Sequence, residues 1–252
     1  MTERPPPNSG GQEADRHARG WSTIHPSARF LIAVTAACLL TAAGGMLDVW
    51  VYLTHGHVFA NAQTGNIVLF AIGLAAGHTV EALRHVPSMT AFVVGLLLSR
   101  TTGTMLKRSG RNSRAIRLSV ECVLLVALAG VADRLSDHVV TACVGFLAAV
   151  QITTLSHIGD WSFNTGMTTG NLLGAVSAFS QACFDPRSKP HWFHTLALGW
   201  ICVAFALGAI LGGYLAPRWH GATLIAVAGL VLGANVISFR APDPLSLDDD
   251  GR

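Results

Sequence analysis

The sequence predicts an all-α integral membrane protein, with six spanning helices plus two motif-bearing short helices arranged as two inverted repeats. Three observations predict it. Only 12% of the 252 residues are Asp, Glu, Lys or Arg, while 51% are apolar; an ordinary soluble domain carries about 25% charged residues. Six apolar stretches have about the length of a membrane crossing. The tripeptide Thr-Gly-Asn occurs twice, beginning at Thr64 and at Thr169, in equivalent places of two similar hydropathy units.

The charge deficit excludes a disordered chain and argues against an ordinary soluble enzyme, because a water-facing surface needs charge. A net charge of +3 is too small to imply a nucleic-acid partner. Cys38, Cys122, Cys143, Cys183 and Cys202 are odd in number and form no CxxC pair. They sit in or beside apolar runs, so the sequence predicts neither a disulfide framework nor a metal site. No Gly-rich phosphate loop, GxSxG or HExxH is present. The prediction is therefore a protein that is not an enzyme and takes no cofactor.

Residues 1–28 are polar, with Pro5, Pro6 and Pro7, and predict a disordered tail. The apolar run that follows is too long for a signal-peptide core. Residues 241–252, with Asp248, Asp249 and Asp250, predict a second, acidic disordered tail. Between them, residues 29–240 form one polytopic membrane domain, with repeat one at 29–133 and repeat two at 138–240. The spanning stretches run over 30–53, 86–106, 116–131, 139–158, 195–215 and 222–239. A hydrocarbon core takes about 20 helical residues, so the short third stretch must extend into its Arg114 and Asp133 flanks. The ten-residue alternation of a membrane barrel is absent.

Two further apolar runs, 67–76 and 172–182, are too short to span. Each follows a polar, flexible stretch: Asn61-Ala62-Gln63-Thr64-Gly65-Asn66 in the first half and Asn164-Thr165-Gly166-Met167-Thr168-Thr169-Gly170-Asn171 in the second. The order is long, motif plus short, long, long, and it repeats once. That is an internal duplication at the level of hydropathy.

Basic residues choose the topology. With six crossings, Arg16, Arg19, Arg29, Lys107, Arg108, Arg111, Arg114, Arg117, Arg187, Lys189 and Arg240 fall on one side, and Arg84, Arg134 and Arg218 on the other. Eight crossings would spread the same residues almost evenly. The six-crossing arrangement puts both termini in the cytoplasm of a bacterial inner membrane and gives each half three crossings, so the halves are inverted.

Glycine leaves helical geometry cheaply, and Thr or Asn can cap a helix start. Each tripeptide therefore suits the beginning of its short helix. Unpaired N–H groups and a partial positive charge at such a start favour a small polar or anionic solute. The predicted solute-binding residues are Thr64, Gly65, Asn66, Thr169, Gly170 and Asn171, joined by Asn61 and Gln151. The competing reading is that these polar groups only knit helices together. Asp48, a carboxylate inside the first spanning stretch, is the ion-coupling candidate for a proton or sodium ion; its competing reading is a place near the outer interface. His55-Gly56-His57 reads as an interfacial loop rather than a metal pair. Glu121 reads as a structural carboxylate near a helix start.

Gly45-Met46-Leu47-Asp48, followed by Val58-Phe59-Ala60-Asn61-Ala62-Gln63-Thr64-Gly65-Asn66-Ile67-Val68, resembles the YoaK-like family of bacterial membrane proteins of unknown function. That family shows a Gly-x-x-Asp-Ala stretch and two Met-Thr-Gly-Asn motifs, one in each half. The resemblance covers roughly residues 30–240. Val49 replaces the usual Ala after the Asp, and Gln63 and Thr168 replace the Met before each Thr-Gly-Asn. Gln151 is followed by Ile152 where an Asn is usual. The resemblance implies a multi-pass inner-membrane protein and no particular activity.

The function expected from the sequence is a small secondary transporter or permease for a small polar or anionic solute. Its rivals are an integral-membrane enzyme using Asp48 and a His on a lipid or isoprenoid, and a non-transporting membrane partner protein. The expected partners are the lipid bilayer and a small solute, with no nucleic acid; a chain of this size also suits a homodimer.

Overall fold

Lipid offers no hydrogen-bond partners, so an apolar segment must satisfy its own backbone, and the helix is the way to do so. The computed structural model describes residues 28–158, 161–184 and 189–239, and they are overwhelmingly helical. In order the helices are α1 (Ala28–Thr54), α2 (Gln63–Ala75), α3 (Thr79–Leu83), α4 (Val86–Arg108), α5 (Ser113–Val131), α6 (Asp137–Thr154), α7 (Thr168–Phe184), α8 (Lys189–Trp219) and α9 (Thr223–Phe239). Apart from Ala28, the two tails expected to be disordered lie outside the described residues, as do Arg187 and Arg240 of the charge argument.

Several of these helices are long and apolar enough to cross a membrane. They are Phe30–Thr54, Thr79–Arg108, Ser113–Arg134, Asp137–Thr154 and the segment Trp192–Phe239, which holds α8 and α9 in succession. The third stretch gains its length from the expected flanks. Asn112 caps α5, its Oδ1 accepting from Ala115 N at 3.0 Å, and a 3-10 turn over Ala132–Arg134 follows it.

Three expected boundaries are corrected. The fourth stretch does not stay helical to residue 158: α6 ends at Thr154, and His157–Ile158 pairs antiparallel with Trp161–Ser162. The hydroxyls of Thr153 and Thr154 both bond back to Val150 O, a competition with the helical ladder that suits a helix end. Both short helices also start early, so that each Thr-Gly-Asn lies inside the first turn rather than ahead of it. The residue preceding α2 is Ala62, which supplies no side-chain cap.

Small residues set how closely the long helices approach. α1 packs most extensively on α8, and α4 on α6. A β-carbon on Gly208 would overlap the Ala42 carbonyl, and one on Gly212 would stand 2.8 Å from Met46 O. Across the other pair, a β-carbon on Gly145 would stand 2.6 Å from Ser88 O, and the Ser99 and Thr153 hydroxyls bond at 2.5 Å. Within each pair the contacts climb together along the chain, so both pairs are parallel.

Other neighbours run in opposite directions. His55 Nδ1 lies 3.0 Å from Asp137 Oδ1 at one end of α1 and α6, while Gln151 Nε2 donates to Leu40 O further along. α1 and α6 are thus antiparallel, with few close approaches between their backbones. α5 and α9 are antiparallel as well. Asn235 Nδ2 donates to Ser119 Oγ at 3.0 Å near one end, and Gly221 abuts Ala129 near the other. The core between α1, α5, α8 and α9 is filled by Leu40, Met46, Leu47, Trp50, Leu118, Leu125, Ile201 and Leu224, all fully buried.

Candidate functional site

Each tripeptide asparagine folds back on its own loop. Asn66 Oδ1 accepts from Phe59 N and its Nδ2 donates to Phe59 O, both at 2.8 Å. Asn171 Oδ1 accepts from Asn164 N at 2.8 Å, and its Nδ2 donates to Asn164 O at 2.7 Å. Both clamps reach seven residues back, and both asparagines stand at the fourth position of their helix. Each amide pairs with a backbone N–H and C=O of its loop, and Phe59 O accepts from Ser88 Oγ as well, at 3.0 Å. Asn66 is fully buried and Asn171 nearly so.

The clamps hold two loops in place. The first loop runs from Val58 to Ala62 and is tied to α1 by Asp48. Asp48 Oδ1 accepts from Asn61 N at 2.6 Å, with the Ala60 and Ala62 N–H groups and the Asn61 side chain also turned to the carboxylate. Asp48 is therefore buried in the protein and well partnered. Its carboxylate sits on the loop that leads into α2.

The two loops meet over one face of α1. Leu40, Gly44 and Asp48 follow each other at four-residue spacing and so share that face. Leu40 O accepts from Gln151 Nε2 at 2.5 Å, Gly44 O accepts from Asn61 Nδ2 at 3.1 Å, and Asp48 accepts from Asn61 N. A β-carbon on Gly44 would lie 2.8 Å from Thr165 O, 3.6 Å from Asn61 Nδ2 and 3.7 Å from Gln151 Nε2. A β-carbon on Gly166 would overlap Asn61 Oδ1 and lie 2.6 Å from Ile152 Cδ1. Residues of both halves, Asp48 and Asn61 from one and Gln151, Thr165 and Gly166 from the other, thus converge on Gly44.

This cluster is incompletely paired within the protein. Asn61 Oδ1, Gln151 Oε1 and Thr165 Oγ1 are buried and have no protein partner. Their residues are 1%, 1% and 0% exposed. Groups of this kind cost about 1–3 kcal/mol each when left unpaired.

The eight predicted solute-binding residues divide accordingly. Asn61 and Gln151 come together at Gly44. Asn66 and Asn171 are clamps whose amides are engaged by their own loops. Thr64, Thr169 and Gly170 lie on the outer surface, and a β-carbon on Gly170 would meet nothing within 4 Å. Gly65 packs on the ring of Phe59, 3.1 Å from a β-carbon placed there.

Sequence reading missed Gly44, Thr165 and Gly166. Register could have found the last of these, since Gly166 stands five residues before Asn171 as Asn61 stands five before Asn66. Glu121 is also corrected. It lies in the middle of α5, not at its start, is 1% exposed, and neither carboxyl oxygen has a hydrogen-bond partner. Among the described residues no group of three or more His, Cys, Asp or Glu is placed to hold a metal.

The family described as "Protein of unknown function (DUF1275)" matches residues 36–237, which contain both loops and both clamps. The chain belongs to the DUF1275 family. It is similar to the UPF0700 transmembrane protein YoaK of Bacillus subtilis (strain 168), at 22% identity over 191 residues, covering 74% of this chain and 85% of that protein. No solved structure matches the chain. The resemblance carried by the paired motifs is therefore to the right family, a YoaK-like membrane family of unknown function. This DUF1275 protein is a multi-pass membrane protein.

Proposed function

We propose that the protein is a small permease of the bacterial inner membrane that moves a small polar solute through the point where its two halves meet. The observation that carries this reading is the convergence at Gly44 of Asn61, Gln151 and Thr165, each with a buried, unpartnered polar atom. A membrane protein gains nothing in stability from such atoms, so a ligand is the economical explanation for them.

In this reading the chain crosses the membrane six times, in two inverted halves with both termini cytoplasmic. The antiparallel courses of α1 against α6 and of α5 against α9 support it, because corresponding helices of inverted halves must point in opposite directions. A count of eight crossings would make both pairs parallel. The basic run from Lys107 to Arg117 supports a cytoplasmic α4–α5 loop.

The solute is polar and rich in hydrogen-bond donors rather than anionic. Asp48 already puts a carboxylate beside Asn61, and the free atoms of Asn61 and Gln151 are acceptors. The tightly packed parallel pairs, α1 with α8 and α4 with α6, form two bodies. The thin polar contact between α1 and α6 is where they would rock about the site, as in alternating access. That motion makes and breaks the Gln151–Leu40 bond. No bond of the solute is made or broken in this scheme, and the protein acts as a carrier and not as an enzyme. Both sides of the site come from one chain, so the scheme needs no dimer.

Uptake into proteoliposomes tests the proposal. A panel of radiolabelled small amino acids, polyols and amines should contain at least one compound that enters faster than into protein-free vesicles, with Gln151→Leu lowering that rate tenfold or more. Entry of every compound at the protein-free rate sinks the permease reading.

A further inference from the structure

We infer that the cluster at Gly44 binds one dehydrated monovalent metal cation, held by Asn61 Oδ1, Gln151 Oε1 and Thr165 Oγ1 with Asp48 as its counter-charge. The inference deepens the permease reading, on which it rests for a purpose, by naming an ion that shares the site.

Hydrogen bonding decides the chemistry. The amide of Asn61 is oriented by its Nδ2, which donates to Gly44 O at 3.1 Å, and the amide of Gln151 by its Nε2, which donates to Leu40 O. What each leaves over is a carbonyl oxygen, an acceptor and nothing else. Thr165 adds a hydroxyl oxygen. Among these three residues no unpartnered nitrogen donor remains. A cluster of spare oxygens calls for a positive or donating guest, and a metal ion can answer several oxygens from a single point. Hard cations take oxygen ligands of this kind.

Charge narrows the guest further. Asp48 is the carboxylate of the cluster, and it reaches the spare oxygens through Asn61, whose backbone it holds. One carboxylate balances one unit of positive charge. A divalent ion would leave a net charge in a low-dielectric setting, at a cost of several kcal/mol or more. Sodium and potassium share the required chemistry, and experiment separates them.

The test uses the full-length protein in lipid nanodiscs, with thermal unfolding followed in choline chloride and in NaCl or KCl at equal ionic strength. Either sodium or potassium should raise the Tm saturably. At a hundred times the dissociation constant, linkage gives a stabilisation of about 2.7 kcal/mol, a rise on the order of 5–10 °C for a chain of this size. Thr165→Val removes one oxygen that makes no protein hydrogen bond, so its Tm in choline should match the wild type. Its half-saturating cation concentration should rise at least tenfold. Equal Tm in choline, sodium and potassium overturns the inference. So does an identical cation response in wild type and Thr165→Val, and so does stabilisation by methylammonium in place of both metal ions. Cation-specific stabilisation without solute flux retires the permease and keeps the ion site; flux without any cation effect does the reverse.

Discussion

Asn61 Oδ1 stands where a side chain on Gly166 would have to go. The pair joins the two halves of the chain at a point of contact too close for any other residue at position 166. Gly166→Ala must push Asn61 away or open the second loop, and overpacking of this kind costs about 1–3 kcal/mol. Gly170, four residues later and inside α7, has open space around it. Gly170→Ala should leave stability unchanged or raise it by up to about 1 kcal/mol, the helical advantage of Ala over Gly. Thermal unfolding of the two variants in one detergent should therefore give shifts of opposite sign, with Gly166→Ala the loser. Equal shifts would mean that the two loops do not touch in the folded protein.

Asn171→Ala removes two hydrogen bonds and leaves the Asn164 N–H and C=O without partners, while Asn66→Ala removes the bonds to Phe59, Gln63 and His85 and leaves the Phe59 N–H without one. At about 1–3 kcal/mol per orphaned group, each variant should unfold at a clearly lower temperature. Asn66→Asp keeps an acceptor for Phe59 N but loses the donor to Phe59 O, so it should be destabilised as well. Full stability of either alanine variant, read by Tm, would free these asparagines for a direct role with solute.

Much of this was legible in the sequence. The helical character of the apolar stretches follows from hydropathy alone, because a segment in lipid has one way to satisfy its backbone. The motif was legible as a landmark but not as a site. Thr-Gly-Asn reads as a helix start, yet the asparagine is bound by a residue seven positions back, and no local rule connects Asn66 to Phe59 or Asn171 to Asn164. The meeting of Asn61 with Gly166 is less legible still. It depends on loops separated by more than a hundred residues and on glycines whose importance lies in what they omit. Gln151 stands out in the sequence as polar in an apolar run, and the structure brings it to Gly44.

Glu121 offers a separate test. Its carboxyl oxygens are buried in α5 without partners, so the group stabilises nothing where it stands. Glu121→Leu replaces it with an apolar side chain among Leu118, Leu125 and Leu128 and should raise stability by about 1–4 kcal/mol. A fall in Tm would show that the carboxyl has a partner in the assembled membrane protein.

The course of the chain can be read from outside. His55 and Asp137 touch, as do Trp50 and the His220 carbonyl, so residues 55, 137 and 220 lie at one end of the bundle. In a cysteine-free background, cysteines introduced at positions 56, 80 and 135 should react with an impermeant maleimide from one side, and a cysteine at position 110 from the other. Labelling of 56 and 80 from opposite faces would make α2 a full crossing and end the six-crossing arrangement.

The parallel embrace of α1 and α8 has a consequence for how the protein is made. α1 leaves the ribosome ahead of the other described helices, and the glycines that receive it, Gly208 and Gly212, lie far behind it in the chain. Until then α1 must wait in the bilayer with its closest packing surface turned to acyl chains. A chain stalled or truncated before α8 would carry that unmated surface and should be recognised by membrane proteases, while co-expression of the missing half should rescue it. Birth order and assembly order in this protein are therefore different things.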